Sequence, residues 1–307
     1  MENITRENIG SFSGLPLEKL VVLANQSRRE HAGDKLELCN IMNAKSGKCA
    51  EDCKFCAQSG RHNTGAASYP LKSKEEMLES AGRAKEIGAH RFDIVTSGDN
   101  LTFEEIKIIA DAVHEITTKV GIEMCASLGT IDDPGFALLK GAGLTRYHHN
   151  LETSPRYFSQ IVTTHTFAQR VNTVKSAKKA GLQVCSGGII GMGEDLADRI
   201  ELAFWLKELD VDSVPVNILV PIKGTPLGER TPLSQEEALR AIALFRIILK
   251  GKIIKIAAGR EAVFGRAQAS AFAAGANGML IGGYLTIKGQ GLEKDRMLIK
   301  EIRELWA

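Results

Sequence analysis

Four of the chain's six cysteines fall in one short stretch, CNIMNAKSGKCAEDCKFCAQS, residues 39–59. Cys49, Cys53 and Cys56 form a C-x3-C-x2-C group, and Cys39 stands ten residues before it. Thiolates are soft ligands. Three on one compact loop can hold three irons of a [4Fe–4S] cluster and leave the fourth iron open to an outside ligand. C-x2-C is also zinc spacing, but structural zinc takes a fourth protein ligand, usually from a second C-x2-C or an H-x3-5-H pair. The sequence offers neither: Cys125 and Cys185 stand alone, and His62 reads as an ordinary surface histidine. The spacing therefore favours iron–sulfur chemistry over zinc.

The composition excludes several other functions. Basic and acidic residues nearly balance, 39 against 37, so no field steers the chain to nucleic acid or an anionic membrane. A nucleic-acid binder would more often show a basic stripe and a pI above about 9. The opening residues, MENITRENIGSF, carry charges and no apolar core, so no secretory signal is expected. The uncharged run 267–287 has membrane-spanning length, but Gln268, Ser270, Asn277 and the GANG turn interrupt it. It predicts a buried helix, a turn and a strand. A cytoplasmic protein follows as the expectation, and in that reducing compartment unevenly spaced cysteines serve metals or catalysis rather than disulfides.

The cysteines must be positioned by a repeated unit, a short apolar run followed by an amphipathic helical stretch. Candidate strands are KLELCNIMN (35–43), HRFDIVTSG (90–98), GIEMCASLG (121–129), RYHHNLE (146–152) and QVCSGGIIG (183–191). Three more are DSVPVNILV (212–220), KIIKIAAG (252–259) and GMLIGGY (278–284). Helical patterns such as SKEEMLESAGRAKEIG and FEEIKIIADAVHEITTKVG lie between them, the second ending on a C-capping glycine. Eight strands alternating with helices predict an α/β protein, a (β/α)8 TIM-type barrel, within the usual size of about 250 residues. The alternative, a doubly wound sheet, lacks a G-x-G-x-x-G opening a helix after the first strand. No linker divides the chain, so a single domain over 1–307 is expected, with a helical extension over 1–30 and the barrel over 35–290. Such barrels place their chemistry at the C-terminal ends of the strands.

C-x3-C-x2-C just after the first strand of a barrel, with Phe55 before the last cysteine, resembles the radical S-adenosylmethionine enzymes. The resemblance extends over nearly the whole chain to the biotin synthase family, through GKCAEDCKFCAQS, SLGTI, YHHNLETSP, CSGGIIGMGE, SVPVNILVPIKGTPL and AAGRE. It implies that Cys49, Cys53 and Cys56 hold a [4Fe–4S] cluster whose open iron is chelated by S-adenosylmethionine, and that one-electron reduction yields a 5′-deoxyadenosyl radical. It also implies nucleotide contacts. TSGD (96–99), with Ser97, Gly98 and Asp99, resembles the loop near the methionine amino group, and Glu152 the acid that takes the ribose hydroxyls. Arg170 matches an arginine near the methionine carboxylate, and GGIIGMGE (187–194), with Ile190 and Gly191, the segment along the adenine. The implied substrate is dethiobiotin, with Asn150 and Asn217 matching amides for its ureido ring; an amide offers both donor and acceptor.

The family also implies a second, sulfur-donating cluster deep in the barrel, held by cysteines on strands two, three and five and an arginine on strand seven. Cys125, Cys185 and Arg260 match three of these. Asp93 stands at the strand-two position, and a carboxylate is a hard, poor substitute for a thiolate. Cys39, on strand one, is the expected replacement, because barrel interiors fill in layers drawn from alternate strands. Its bland alternative is a small buried hydrophobe. The rearranged set leaves open a four-iron cluster in place of the family's two-iron one. His148 stands where the family more often has asparagine, and His149 matches a family histidine.

The leading expectation is thus radical sulfur insertion into dethiobiotin, with a flavodoxin or ferredoxin as electron donor and a homodimer as the assembly. A rival is another radical enzyme of the subfamily, of the hydrogenase-maturase or methylornithine-synthase kind, acting on a different small molecule. A non-catalytic iron–sulfur or zinc carrier would not need Glu152, Arg170 or GGIIGMGE.

Overall fold

A computed structural model describes residues 4–285 and 289–307. Among these residues, parallel strands close an eight-membered barrel. They are β1 (Glu37–Lys45), β2 (Arg91–Thr96), β3 (Glu123–Ser127), β4 (Arg146–His148), β5 in two pieces (Gln183–Cys185 and Gly188–Ile190), β6 (Ser213–Ile218), β7 (Ile253–Ile256) and β8 (Gly278–Leu280). Each strand pairs with the next, and Glu37, Leu38 and Cys39 of β1 pair with Gly278, Met279 and Leu280 of β8 to complete the ring. Every predicted strand is present, generally shorter than its apolar run because the barrel ladder ends where the loops begin.

Several helices start where the sequence places a small polar residue three positions before an acid or amide. Ser73, Thr102, Thr166 and Ser234 each accept a bond from the backbone N–H of Glu76, Glu105, Gln169 and Glu237. Each of those partners bonds back, satisfying two orphan donors at once. The stretch FEEIKIIADAVHEITTKVG forms Phe103–Glu115 and a final π-turn, Ile116–Val120, stopped by Gly121 at φ 68°. There the Thr117 and Thr118 hydroxyls donate to carbonyls four residues back, which loosens the last turn.

The predicted fifth strand is one run, but the structure breaks it at Ser186 and Gly187. Pro215, in the middle of β6, has no N–H to give the ladder there. The chain also passes so close to its neighbours that a Cβ on Gly187 would fall 2.0 Å from the Pro215 carbonyl oxygen. One on Gly188 would fall 2.3 Å from that of Glu152. The glycines of GGIIGMGE thus make the squeeze possible.

The N-terminal residues form Gly10–Ser13 and Leu17–His31, the latter packed on the helix Gln235–Leu249, with Arg240 donating to the Ser13 and Leu15 carbonyls. The run 267–287 folds as helix Ala269–Ala273, a turn and β8, although Thr286 and Ile287 lie outside the described residues. Among the described residues no helix is long and apolar enough to cross a membrane.

Candidate active site

The cysteine loop follows β1 and is held from several sides. Its backbone bonds run from Cys49 N–H to Gln58 O, Gly60 N–H to Cys49 O, Cys56 N–H to Cys53 O and Lys54 N–H to Ile161 O. Asp52 accepts from the backbone N–H groups of Thr163 (2.9 Å) and Thr164 (3.3 Å) and from both hydroxyls. These bonds hold its carboxyl well below the usual range, although what burial it has acts the other way. Glu51 meets His165 Nδ1 at 2.5 Å, and His165 Nε2 lies 3.3 Å from Arg170 Nη1. His62 is not the plain surface residue its sequence suggested. It is half-buried, with Nε2 3.1 Å from the Cys53 carbonyl oxygen, and so braces the loop.

Phe55 and Cys56 line a cavity of about 340 Å3 that runs into the barrel. Deeper in, the same cavity is lined by Cys39, Cys125 and Cys185, and Asp93, His148, Asn150, Glu152 and Asn217 also face it. All six cysteines are free, so their thiols are uncommitted. Among the described residues no three of His, Cys, Asp or Glu are placed to hold a single metal ion, and three soft donors on the loop with three more in the barrel are instead the kind of set that iron–sulfur groups take.

The fourth inward group beside the barrel thiols is Lys255, not Arg260. On β7 the side chains alternate, so Ile254 and Ile256 pack into the apolar core outside the barrel and Lys255 points into the cavity. Cys39, Cys125, Cys185 and Lys255 thus come from β1, β3, β5 and β7, the alternate-strand layer of such barrels. Arg260 lies beyond the strand, at the start of helix Arg260–Phe264, and does not line the cavity. Its guanidinium donates to Gln268 Oε1 (2.9 Å), the Leu280 carbonyl and Asp295 Oδ1 (2.5 Å). Arg260 and Asp295 are 2% and 3% exposed, so Arg260→Ala leaves a buried carboxylate short of its counter-ion. Loss of about 3–5 kcal/mol is expected in urea denaturation. The iron content of the reconstituted protein should not change, and a loss of barrel-cluster iron would restore Arg260 as a ligand.

Below the thiols the barrel floor is charged. Glu37 bonds Arg146 at 2.7 Å and Arg91 at 3.1 Å and lies 3.4 Å from Lys255. Burial would raise its carboxyl, but Lys255, Arg146 and Arg91 overcome that and lower it to about 2. Burial likewise pushes the Cys39 thiol up to about 11, against the pull of Lys255. For Cys185 the balance reverses: burial is outweighed by Lys255 and His148, and the thiol comes down to about 7. His148 rises to about 10, because Cys185 and Asp93 outweigh its burial. Lys255 and His148 therefore favour the thiolate form of Cys185. Lys255, Glu37, Arg91 and Arg146 escaped the sequence reading. Lys255 carried a signal, since a charge inside a parallel barrel strand breaks a pattern that is otherwise apolar, whereas Glu37, Arg91 and Arg146 each open their strands, where a charge is unremarkable.

The nucleotide-contact positions divide. Glu152 holds a left-handed backbone, φ 69°, uncommon for a non-glycine residue and a mark of functional constraint. Its Oε1 pairs with Arg170 Nη2 at 2.9 Å and its Oε2 accepts from Asn150 at 3.4 Å, while Arg170 Nε donates to the Asn150 carbonyl. Ser97 donates to the Gly47 carbonyl, tying β2 to the approach of the cysteine loop. Ser97, Gly98 and Asp99 do not line the main cavity. Asp99 borders a second one of about 200 Å3 with Arg170, His165 and His149. Burial holds His149 neutral, well below the ordinary histidine value. Ile190 is 1% exposed and packs in the core, whereas its neighbour Ile189 lines the cavity. Gly191 turns at φ 93°, its N–H held by Glu194 at 2.7 Å.

The Radical SAM superfamily model matches residues 44–206, and that of the Biotin and Thiamin Synthesis associated domain matches residues 215–302, so their boundary falls inside one closed barrel. The chain is 53% identical over 289 residues to the biotin synthase of Thermotoga petrophila, covering 94% of this chain and 95% of that one. It is 47% identical over 303 residues to the biotin synthase of Pelotomaculum thermopropionicum, covering 98% and 94%. The crystal structure of methylornithine synthase superposes with a TM-score of 0.81 over 99% of this chain and 92% of that one, at 22% identity, which bears on the fold alone. The chain belongs to the biotin synthase family of radical S-adenosylmethionine enzymes.

Proposed function

We propose that this protein converts dethiobiotin to biotin by sulfur insertion, with Cys49, Cys53 and Cys56 holding a [4Fe–4S] cluster and Cys39, Cys125 and Cys185 holding the sulfur-donating one. The observation that carries the reading is the shared cavity: a loop thiol, Cys56, and three buried barrel thiols face the same space. When bound, the loop cluster and S-adenosylmethionine supply one-electron radical chemistry. The protein's own residues do the rest. Arg170 is the cation for the methionine carboxylate, and Glu152 has acceptor capacity left for the ribose hydroxyls. Ile41, Val95, Ile189, Leu219 and Leu280 give the cavity apolar walls that exclude water around the substrate chain. Asn150 and Asn217 face the ureido ring.

The donor set favours a four-iron barrel cluster. Its three thiols are accompanied by a lysine, whose ammonium serves as a counter-charge rather than a ligand. A flavodoxin or ferredoxin donor, a homodimer and a cytoplasmic location are proposed on family grounds. Anaerobic reconstitution with S-adenosylmethionine, dethiobiotin and a reductant should give 5′-deoxyadenosine and biotin. Protein carrying both clusters that makes no biotin would sink the reading.

A further inference from the structure

Asp93 is the acid standing where the resembling enzymes have a cluster cysteine, and its surroundings give it other work. It is 7% exposed, it lines the main cavity, and among the described residues its Oδ1 has no hydrogen-bond partner. An unpaired buried carboxylate oxygen is costly, so one on a side chain that lines a cavity calls for a donor from whatever fills it. Its other oxygen, Oδ2, lies 3.4 Å from His148 Nδ1, and His148 Nε2 lies 3.1 Å from Asn150 Oδ1. The second departure from the family pattern thus buttresses the first.

The two asparagines sharpen the point. Asn150 Oδ1 is met by His148 and by the Gly187 N–H at 3.1 Å, which fills both of its lone pairs. Asn217 Oδ1 accepts from the Ala258 N–H at 3.2 Å. Their amide groups each donate once, to Glu152 at 3.4 Å and to the Gly188 carbonyl at 3.3 Å, leaving a second N–H on each. Toward the cavity the asparagines are therefore chiefly donors, matched to the carbonyl of a ureido ring. The ring's own N–H groups need acceptors, and a carboxylate oxygen with no partner is the strongest kind.

We propose that Asp93, held by His148, accepts an N–H of the ureido ring of dethiobiotin and does not ligate the barrel cluster. This inference rests on the biotin synthase reading above. It makes Asp93 a specificity residue, because a ring lacking that N–H would leave the buried carboxylate unpaired.

The test uses the full chain carrying both clusters, wild type beside Asp93→Ala and Asp93→Asn. Three quantities are read: iron per chain with its Mössbauer spectrum, dethiobiotin affinity by anaerobic equilibrium dialysis, and the affinity of a dethiobiotin methylated on a ureido nitrogen. For Asp93→Ala, iron and spectrum should match wild type while dethiobiotin binds roughly ten- to a hundredfold more weakly. Asp93→Asn, which keeps the shape and a neutral acceptor, should weaken binding severalfold and carries the test if the alanine variant does not fold. The penalty for the methyl group should shrink in both variants, since the partner it disturbs has been weakened or removed. Unchanged dethiobiotin affinity with intact iron overturns the proposal, as does loss of barrel-cluster iron in Asp93→Asn. Failure of the wild type itself to bind dethiobiotin would instead overturn the function reading.

Discussion

Cys53→Ala is expected to abolish cleavage of S-adenosylmethionine, leaving 5′-deoxyadenosine at background, and to remove the iron of the loop cluster while the barrel cluster stays. The effect should be total because three thiolates are needed to hold a four-iron cluster with a single iron open for the cofactor. Removing one leaves two thiols to hold four irons. Collapse of the loop is not the expected cause. Cys53 contributes its carbonyl to Cys56 N–H and to His62, and its neighbours are fixed by Lys54 N–H to Ile161 O and by Asp52 to Thr163 and Thr164. All of these survive the substitution. Its side chain packs at the edge of the small cluster of Phe158, Ile161, Val162, Met192 and Leu219, where an alanine leaves little void. Iron analysis and chromatography of the nucleoside products check the outcome. A variant that still forms 5′-deoxyadenosine at the wild-type rate would remove Cys53 from the site.

Cys39→Ala should separate the two halves of the reaction. The barrel cluster's iron is expected to be lost and biotin formation with it, while S-adenosylmethionine cleavage continues at the loop. Cys39 is 2% exposed and touches Ala257 and Leu280, surroundings equally suited to a small hydrophobe. What favours ligation is its company. It faces the cavity that Cys125 and Cys185 also face, from the alternate-strand layer they share, and Lys255 lies beside all three as a counter-charge. Alanine lacks only the sulfur of cysteine, so the void in the barrel is small and any lost iron reports ligation. Unchanged iron content and an unchanged Mössbauer spectrum would return Cys39 to the hydrophobic core.

Much of the barrel is legible in the sequence because its signals are local. Apolar runs of strand length, polar caps three residues ahead of an acid or amide, and closing glycines each act within a few residues. The loop thiols were legible for the same reason. Other features depend on neighbours distant in sequence. The break in β5 follows from Pro215 on the next strand, and His62 braces Cys53 only because the loop folds back. Arg260 belongs to the AAGRE motif, yet the period-two alternation of β7 turns Lys255 inward, while Arg260, past the end of that strand, opens a helix and pairs with Asp295. One position along β5 likewise puts Ile189 at the cavity and Ile190 in the core.

The sequence by itself determined that strands and helices alternate, that three soft ligands share one loop, and that the chain resembles the biotin synthases. Only the tertiary structure decided which side chains meet. Closing the barrel brings together residues from β1, β3, β5 and β7 that lie far apart in the chain. Whether each one faces the cavity or the helices turns on a single residue of register, and register is set by pairing with the neighbouring strands. Cys39 on β1 and Lys255 on β7 therefore face one cavity through closure of the barrel at β8, and nothing in the local sequence around Lys255 says so.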